Sequence, residues 1–191
     1  MIDWENLIEE TEDLKREFFQ TKREVLSQAI KKIEQALSQE KKVIVFGNGG
    51  SAAQAQHFAA ELVNKYFKKR KALPALALTT DSSVLTSIGN DISFDEIFSR
   101  QIEALGNKSD VAIGISTSGN SPNVIKGIQK AREKGLLTVG LTGDKGGELA
   151  SKVDVLIDVP STVTPRIQEI HLLVLHLIAE ELEKGISESS S

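Results

Sequence analysis

Cysteine is missing from all 191 residues, which excludes a disulfide framework and any thiolate metal site. A metal would have to be held by histidine, carboxylate or amide oxygen. Long apolar runs are also missing: none reaches the roughly 18 residues that a membrane span needs. The opening MIDWENLIEE is acidic and has no basic segment leading into an apolar one. It does not read as a signal peptide, so the cytoplasm is the expected location. An excess of positive charge is lacking too. A net charge of −4 argues against a nucleic-acid surface as the main business of the chain. No linker or repeat interrupts the sequence, which predicts one domain over 1–191. It would have a helical lead at about 3–38, a sheet with its covering helices at about 42–185, and a frayed tail at 186–191. What remains is an ordinary globular balance, 40% hydrophobic and 26% charged.

Apolar residues at helical spacing (Leu7, Leu14, Phe18, Val25, Ile30, Ile33, Leu37) predict one or two helices before any strand. VIVFG (43–47), ALPALALT (72–79), DVAIGIS (110–116), LLTVGLTG (136–143) and DVLIDVP (154–160) then read as buried strands. Helices alternate with them at 51–66, 81–91, 94–105, 121–135 and 164–185. Ser51, Asp81 and Ser121 stand where helix caps belong, Pro122 suits a first turn, and Gly135 suits a stop. Continuous apolar strands separated by helices indicate a parallel sheet covered on both faces. The expected architecture is an α/β doubly wound sheet of five strands, with the site outside their carboxyl ends. That expectation gathers three loops: Gly47–Ser51, Thr79–Asp81 and Ser116–Ser121. The first and last helices are more hydrophobic than a solvated face requires, which suggests a subunit interface.

Three sets of residues carry chemistry. GNGGSAA (47–53) leaves a strand and opens a helix, and it satisfies the dinucleotide pattern G-x-G-x-x-A. A nicotinamide site also wants an acidic residue roughly 20 positions on, and the strand-end candidate, Asp81, comes about 30 past the glycines. The pattern is better read as backbone that lets a ligand approach closely. STSGNS (116–121) has no P-loop lysine. Its hydroxyls and a helix start suit a simple phosphate, although a helix cap with solvated neighbours fits equally well. His57 and Glu61 share a helix face at i, i+4; Gln168 and His176 lie about 80° apart on the last helix. Two histidines, a glutamate and a glutamine oxygen suit a zinc-like divalent ion, but no spacing forces the two helices together. His57 with Glu61 also reads as a surface pair, and Asp81 reads best as a cap. His171 faces another side of the last helix and reads as structural or as a surface contact.

Taken together, FGNGGSAAQAQHFAAEL, TSIGNDISFDEIFSRQIEALG, DVAIGISTSGNSPNVIKGIQKAREKG, LTGDKGGELA and RIQEIHLLVLH resemble the sedoheptulose 7-phosphate isomerases, or phosphoheptose isomerases, of the sugar-isomerase (SIS) domain superfamily. The resemblance covers about residues 3–184. It implies a three-layer α/β/α sandwich with a five-stranded parallel sheet, and a homotetramer in which neighbouring subunits complete the sites. It implies interconversion of sedoheptulose 7-phosphate and D-glycero-D-manno-heptose 7-phosphate, the first step towards ADP-heptose for bacterial surface polysaccharide. It places zinc on His57, Glu61, Gln168 and His176. Substrate contacts fall on Asn48, Gly49, Gly50, Glu61, Thr80, Asp81, Ser116, Thr117, Ser118, Ser121 and Gln168, with the hydroxyl loop as phosphate cradle.

Aldose–ketose isomerisation moves a proton between neighbouring carbons through an enediol, which requires a base, an acid and a stabilised oxyanion. Glu61 is the candidate base and His176 the candidate acid. Two positions depart from the family pattern: Pro165 stands where an Asp is usual, and Lys65 where an Arg is usual. The alternative function is a non-catalytic sister that binds a DNA replication initiator. The joint presence of Glu61 and His176 favours the enzyme.

Overall fold

The computed structural model describes residues 2–188. Five strands form one parallel sheet in the order β2-β1-β3-β4-β5. They are β1 (Val43–Gly47), β2 (Ala75–Ala77), β3 (Val111–Ser116), β4 (Leu137–Thr142) and β5 (Val155–Asp158). The six α-helices are α1 (Trp4–Ser38), α2 (Gly50–Val63), α3 (Ser82–Asp91), α4 (Ile97–Leu105), α5 (Pro122–Glu133) and α6 (Thr164–Glu188). Among the described residues, no helix is long and apolar enough to cross a membrane.

Side chains on a strand alternate between faces, and β1 shows what this does to the core. Val43 and Val45 join Phe18, Ile33, Phe58, Leu62, Val174 and Ile178, which come from α1, α2 and α6. Ile44 and Phe46 join Phe98, Ile102, Val124 and Ile128, which come from α4 and α5. Both faces are therefore apolar and both are covered, so the strands carry no polar alternation. The result is the expected α/β/α sandwich.

The chain runs from β1 outward to β2, then returns to place β3 on the other side of β1. The loops after β1 and β3 thus leave neighbouring strand ends in diverging directions. The crevice between them is where ligands bind in such sheets.

Several boundaries differ from those the sequence suggests. The lead is a single 35-residue helix, and its buried residues begin at Phe18. Helix α2 begins at Gly50 after Gly49, so Ser51 is a buried residue of the first turn rather than the cap. That helix stops at Val63, and β2 is three residues long instead of eight, because residues 64–74 form an irregular connection. The DKGGELA stretch, which has no periodicity to read, makes a kinked 3-10 segment, Asp144–Ser151. Gly135, at φ 75°, does end α5. Helix α6 continues to Glu188; of the tail expected to fray, residues 189–191 lie outside the described residues.

Candidate active site at the sheet's carboxyl edge

Gly47, the last residue of β1, passes so close to β3 that an added Cβ would stand 2.7 Å from the Ile115 carbonyl oxygen. The turn then needs a positive φ at Gly49, 54°. No side chain caps α2. Gly50 leaves room for the Gln168 amide, whose Nε2 would be 2.6 Å from a Cβ at that position. The Gln168 carbonyl, in turn, accepts a hydrogen bond from Gln54 Nε2 at 2.6 Å.

The second loop is built on Ser116, the buried end of β3. Its hydroxyl lies 3.0 Å from that of Ser121. Ser121 occupies the cap position of α5, but its side chain makes no capping hydrogen bond. The reading of Ser121 as a side-chain cap is therefore corrected: its hydroxyl turns back to the strand end and leaves the first-turn N–H groups of α5 to another acceptor. Ser118 is exposed, and its oxygen accepts the Asn120 N–H at 3.2 Å; Thr117 is half-buried. The 3-10 segment braces this loop. The Glu148 N–H donates to Asn120 Oδ1 at 2.8 Å, and the Leu149 N–H donates to the Gly119 carbonyl at 2.9 Å. Gly119 sits at φ 66°, and any side chain there would collide with the Gly146 carbonyl.

Beyond β2, Thr80 and Asp81 are exposed. The Thr80 hydroxyl donates to the Ala77 carbonyl, and Asp81 caps α3 by accepting the Val84 N–H at 3.0 Å. Thus the three expected loops all leave the carboxyl edge of the sheet.

The titratable groups lie along the seam between α2 and α6. His57 Nε2 is 2.8 Å from His176 Nε2, and Glu61 Oε1 is 3.5 Å from the same His57 nitrogen. The two helices, whose contact no sequence spacing required, are thereby brought together. Both partners of the His57–Glu61 pair remain partly open to solvent. Gln168 stands eight residues before His176, about 12 Å along the helix, and its amide lies at Gly50. Among the described residues, no group of three or more histidine or carboxylate side chains is arranged to hold a metal ion unaided. His57, His176 and Glu61 are nevertheless the right donors, two imidazoles and a carboxylate, for part of such a site.

Sequence reasoning missed Tyr66. Its ring centroid is 5.7 Å from that of His176. Burial, together with the negative charges of Glu180 and Glu61, raises the phenol's pKa, so it stays protonated. The segment carrying it is anchored by Glu183, a buried carboxylate that accepts N–H bonds from Tyr66, Phe67 and Lys68 at 3.0, 2.8 and 2.6 Å. Burial alone would raise the Glu183 pKa, but these donors and Arg70 outweigh it and hold the pKa below its usual value. His171, read as structural, is fully buried, and its Nε2–H donates to the Thr142 carbonyl at 3.0 Å. Burial lowers its pKa to about 4, the bond to Thr142 offsetting only part of that shift.

A doubly wound sheet with glycine and hydroxyl loops at its switch point is the layout of a sugar-phosphate domain, and a family model described as the SIS domain matches residues 7–143. A relative from Nitratidesulfovibrio vulgaris named phosphoheptose isomerase is 50% identical over 167 residues, which is 87% of this chain and 80% of its own. The solved phosphoheptose isomerase of Neisseria gonorrhoeae superposes with a TM-score of 0.89 at 43% identity, covering 94% of this chain and 96% of that one. The one from Francisella tularensis gives a TM-score of 0.92 at 34% identity, with coverage of 96% and 100%. The chain belongs to the phosphoheptose isomerase family of SIS-domain proteins.

Proposed function

We propose that this protein is a phosphoheptose isomerase interconverting sedoheptulose 7-phosphate and D-glycero-D-manno-heptose 7-phosphate in the cytoplasm, at the entry to ADP-heptose synthesis. The observation that carries the reading is that one chain holds two sites of different chemistry, one at the strand ends and one on the seam between α2 and α6. One is an uncharged cradle at Ser116, Thr117, Ser118 and Ser121; the other is a cluster of two imidazoles and a carboxylate at His57, His176 and Glu61.

The cradle holds the phosphate with hydroxyls and the free N–H groups of α5, whose dipole end favours an anion. Asn48, Gly49 and Gly50 present the amide end of α2, and Thr80 and Asp81 line the sugar from the β2 side. Glu61 takes the carbon-bound proton and His176 protonates the carbonyl oxygen, giving an enediol; Glu61 then returns its proton to the neighbouring carbon while His176 recovers one from that enediol's other hydroxyl, leaving the isomeric carbonyl. His57, Glu61 and His176 would hold zinc, with Gln168 as a further ligand, Glu61 and His176 each through one atom, so that the other carboxylate oxygen and the other ring nitrogen would carry the protons. When bound, the ion supplies Lewis-acid polarisation of the substrate carbonyl. A homotetramer in which neighbouring subunits complete the sites is part of the proposal. The exposed apolar side chains of Trp4 and Ile8 on the outer half of α1 support an interface there. The alternative of an initiator-binding protein finds no support among the relatives, which are named as isomerases.

The test is to incubate the protein with sedoheptulose 7-phosphate, with and without a chelator, and follow aldoheptose phosphate by NMR. Product that disappears on chelation and returns with zinc is expected. No product under any metal condition would overturn the assignment.

A further inference from the structure

The side chains of Asn48 and Asn123, 75 residues apart, form a closed amide pair. Asn48 Nδ2 donates to Asn123 Oδ1 at 2.8 Å, and Asn123 Nδ2 donates to Asn48 Oδ1 at 2.9 Å. Asn123 is 2% exposed. A buried amide is costly unless it is paired, and asparagine is a poor helix former, so neither packing nor helix propensity explains it in the first turn of α5. Its position does. Asn48 lies in the turn that opens α2, and Asn123 follows Pro122 at the opening of α5. Both helices begin without a side-chain cap. The pair is therefore a strut between two helix N-termini whose amides face the same crevice. Residue 123 is assigned no role by the pattern of hydroxyls, while Asn48 is expected to touch substrate. The geometry spends one donor and one acceptor of Asn48 on Asn123, leaving its second amide hydrogen and its backbone N–H for a ligand.

We infer that Asn123 is a positioning residue for phosphate: through Asn48 it fixes the glycine loop against the hydroxyl loop, so that both helix ends address one anion. This rests on the proposed reading of the cradle as a phosphate site. Separate, unlinked loops would have to be ordered by the ligand itself, at a cost in affinity.

The test is a double-mutant cycle of Asn48→Ala and Asn123→Ala, reading the dissociation constant of inorganic phosphate by calorimetry and the kinetics with sedoheptulose 7-phosphate. Asn123→Ala is expected to weaken phosphate binding and raise KM by about tenfold, with kcat falling no more than about threefold, and the double variant is expected to be no worse than the worse single. A merely structural role would not separate KM from kcat in this way. If Asn123→Ala does not fold, Asn123→Asp takes its place. It keeps the shape but sets a carboxylate oxygen against Asn48 Oδ1, so a similar or larger loss is expected. Phosphate binding within about twofold of wild type, or losses that multiply in the double variant, would overturn the strut. A wild-type protein that neither binds phosphate nor turns over the sugar would overturn the cradle itself, which distinguishes the two failures.

Discussion

The two ends of the site are made in different ways. The loops of the phosphate end are each local, although the Asn48–Asn123 pair ties two of them together. Each joins a strand to the next helix, its residues lie within six positions of one another, and its donors are hydroxyls and backbone N–H groups. The proton-transfer end is tertiary: His57 and His176 are 119 residues apart and meet only because α2 and α6 pack side by side on one face of the sheet. A strand end positions the first; a helix seam positions the second. Loss of a single cradle hydroxyl should therefore weaken binding only several-fold, whereas loss of a single proton-transfer side chain should remove most turnover.

The largest effect should come from removing the anchor of the second end. Glu183→Ala leaves Arg70 and three backbone N–H groups without their carboxylate. It should cost about 3 kcal/mol in urea unfolding and lower turnover by freeing the Tyr66 segment. Glu61→Gln should leave folding intact and cut turnover by about 100-fold or more, the scale of a lost general base. Near-normal turnover would remove Glu61 from its role.

The seam helix α6 also carries a pH signature. His171 binds a proton in the unfolded chain below its ordinary pKa of 6.5, but in the fold only near pH 4. Stability from its neutral burial is complete above 6.5 and is lost as pH falls towards 4, amounting to about 2 kcal/mol between pH 7 and pH 5. Unfolding curves at the two pH values should show this slope in the native protein and lose it in His171→Gln. The smallest effect belongs to the local end. Ser121→Ala should weaken phosphate binding several-fold yet change stability by less than about 0.5 kcal/mol, because its hydroxyl caps nothing. A loss near 1 kcal/mol, the usual worth of a cap, would restore the capping role.

The same contrast decides what could be read from the sequence. The five strands, their parallel direction and the hydroxyl loop follow from short-range patterns: apolar runs, a Ser-Pro start and a glycine stop. The direction of the Ser121 hydroxyl does not, because the cap position and the Ser116 side chain compete for it, and only the fold puts Ser116 within 3.0 Å. The pairing of His57 with His176 could be suspected from residue types but not placed, since helical spacing orders residues along one helix and says nothing of its neighbour. Asn123 went unread for a related reason. An asparagine after a proline looks like turn chemistry until its partner is seen across the crevice. The 3-10 brace at Asp144–Ser151 has positive-φ residues at Lys145, Gly146 and Gly147, which leave no period to detect.

The most direct test of the division between the two ends is the affinity of the Glu61→Gln protein for inorganic phosphate. If binding and proton transfer are held by separate parts of the fold, the dissociation constant should stay within about threefold of wild type while turnover is lost. Phosphate binding that falls in parallel with turnover would contradict the account, because it would mean that the helix seam and the strand-end cradle act as one site.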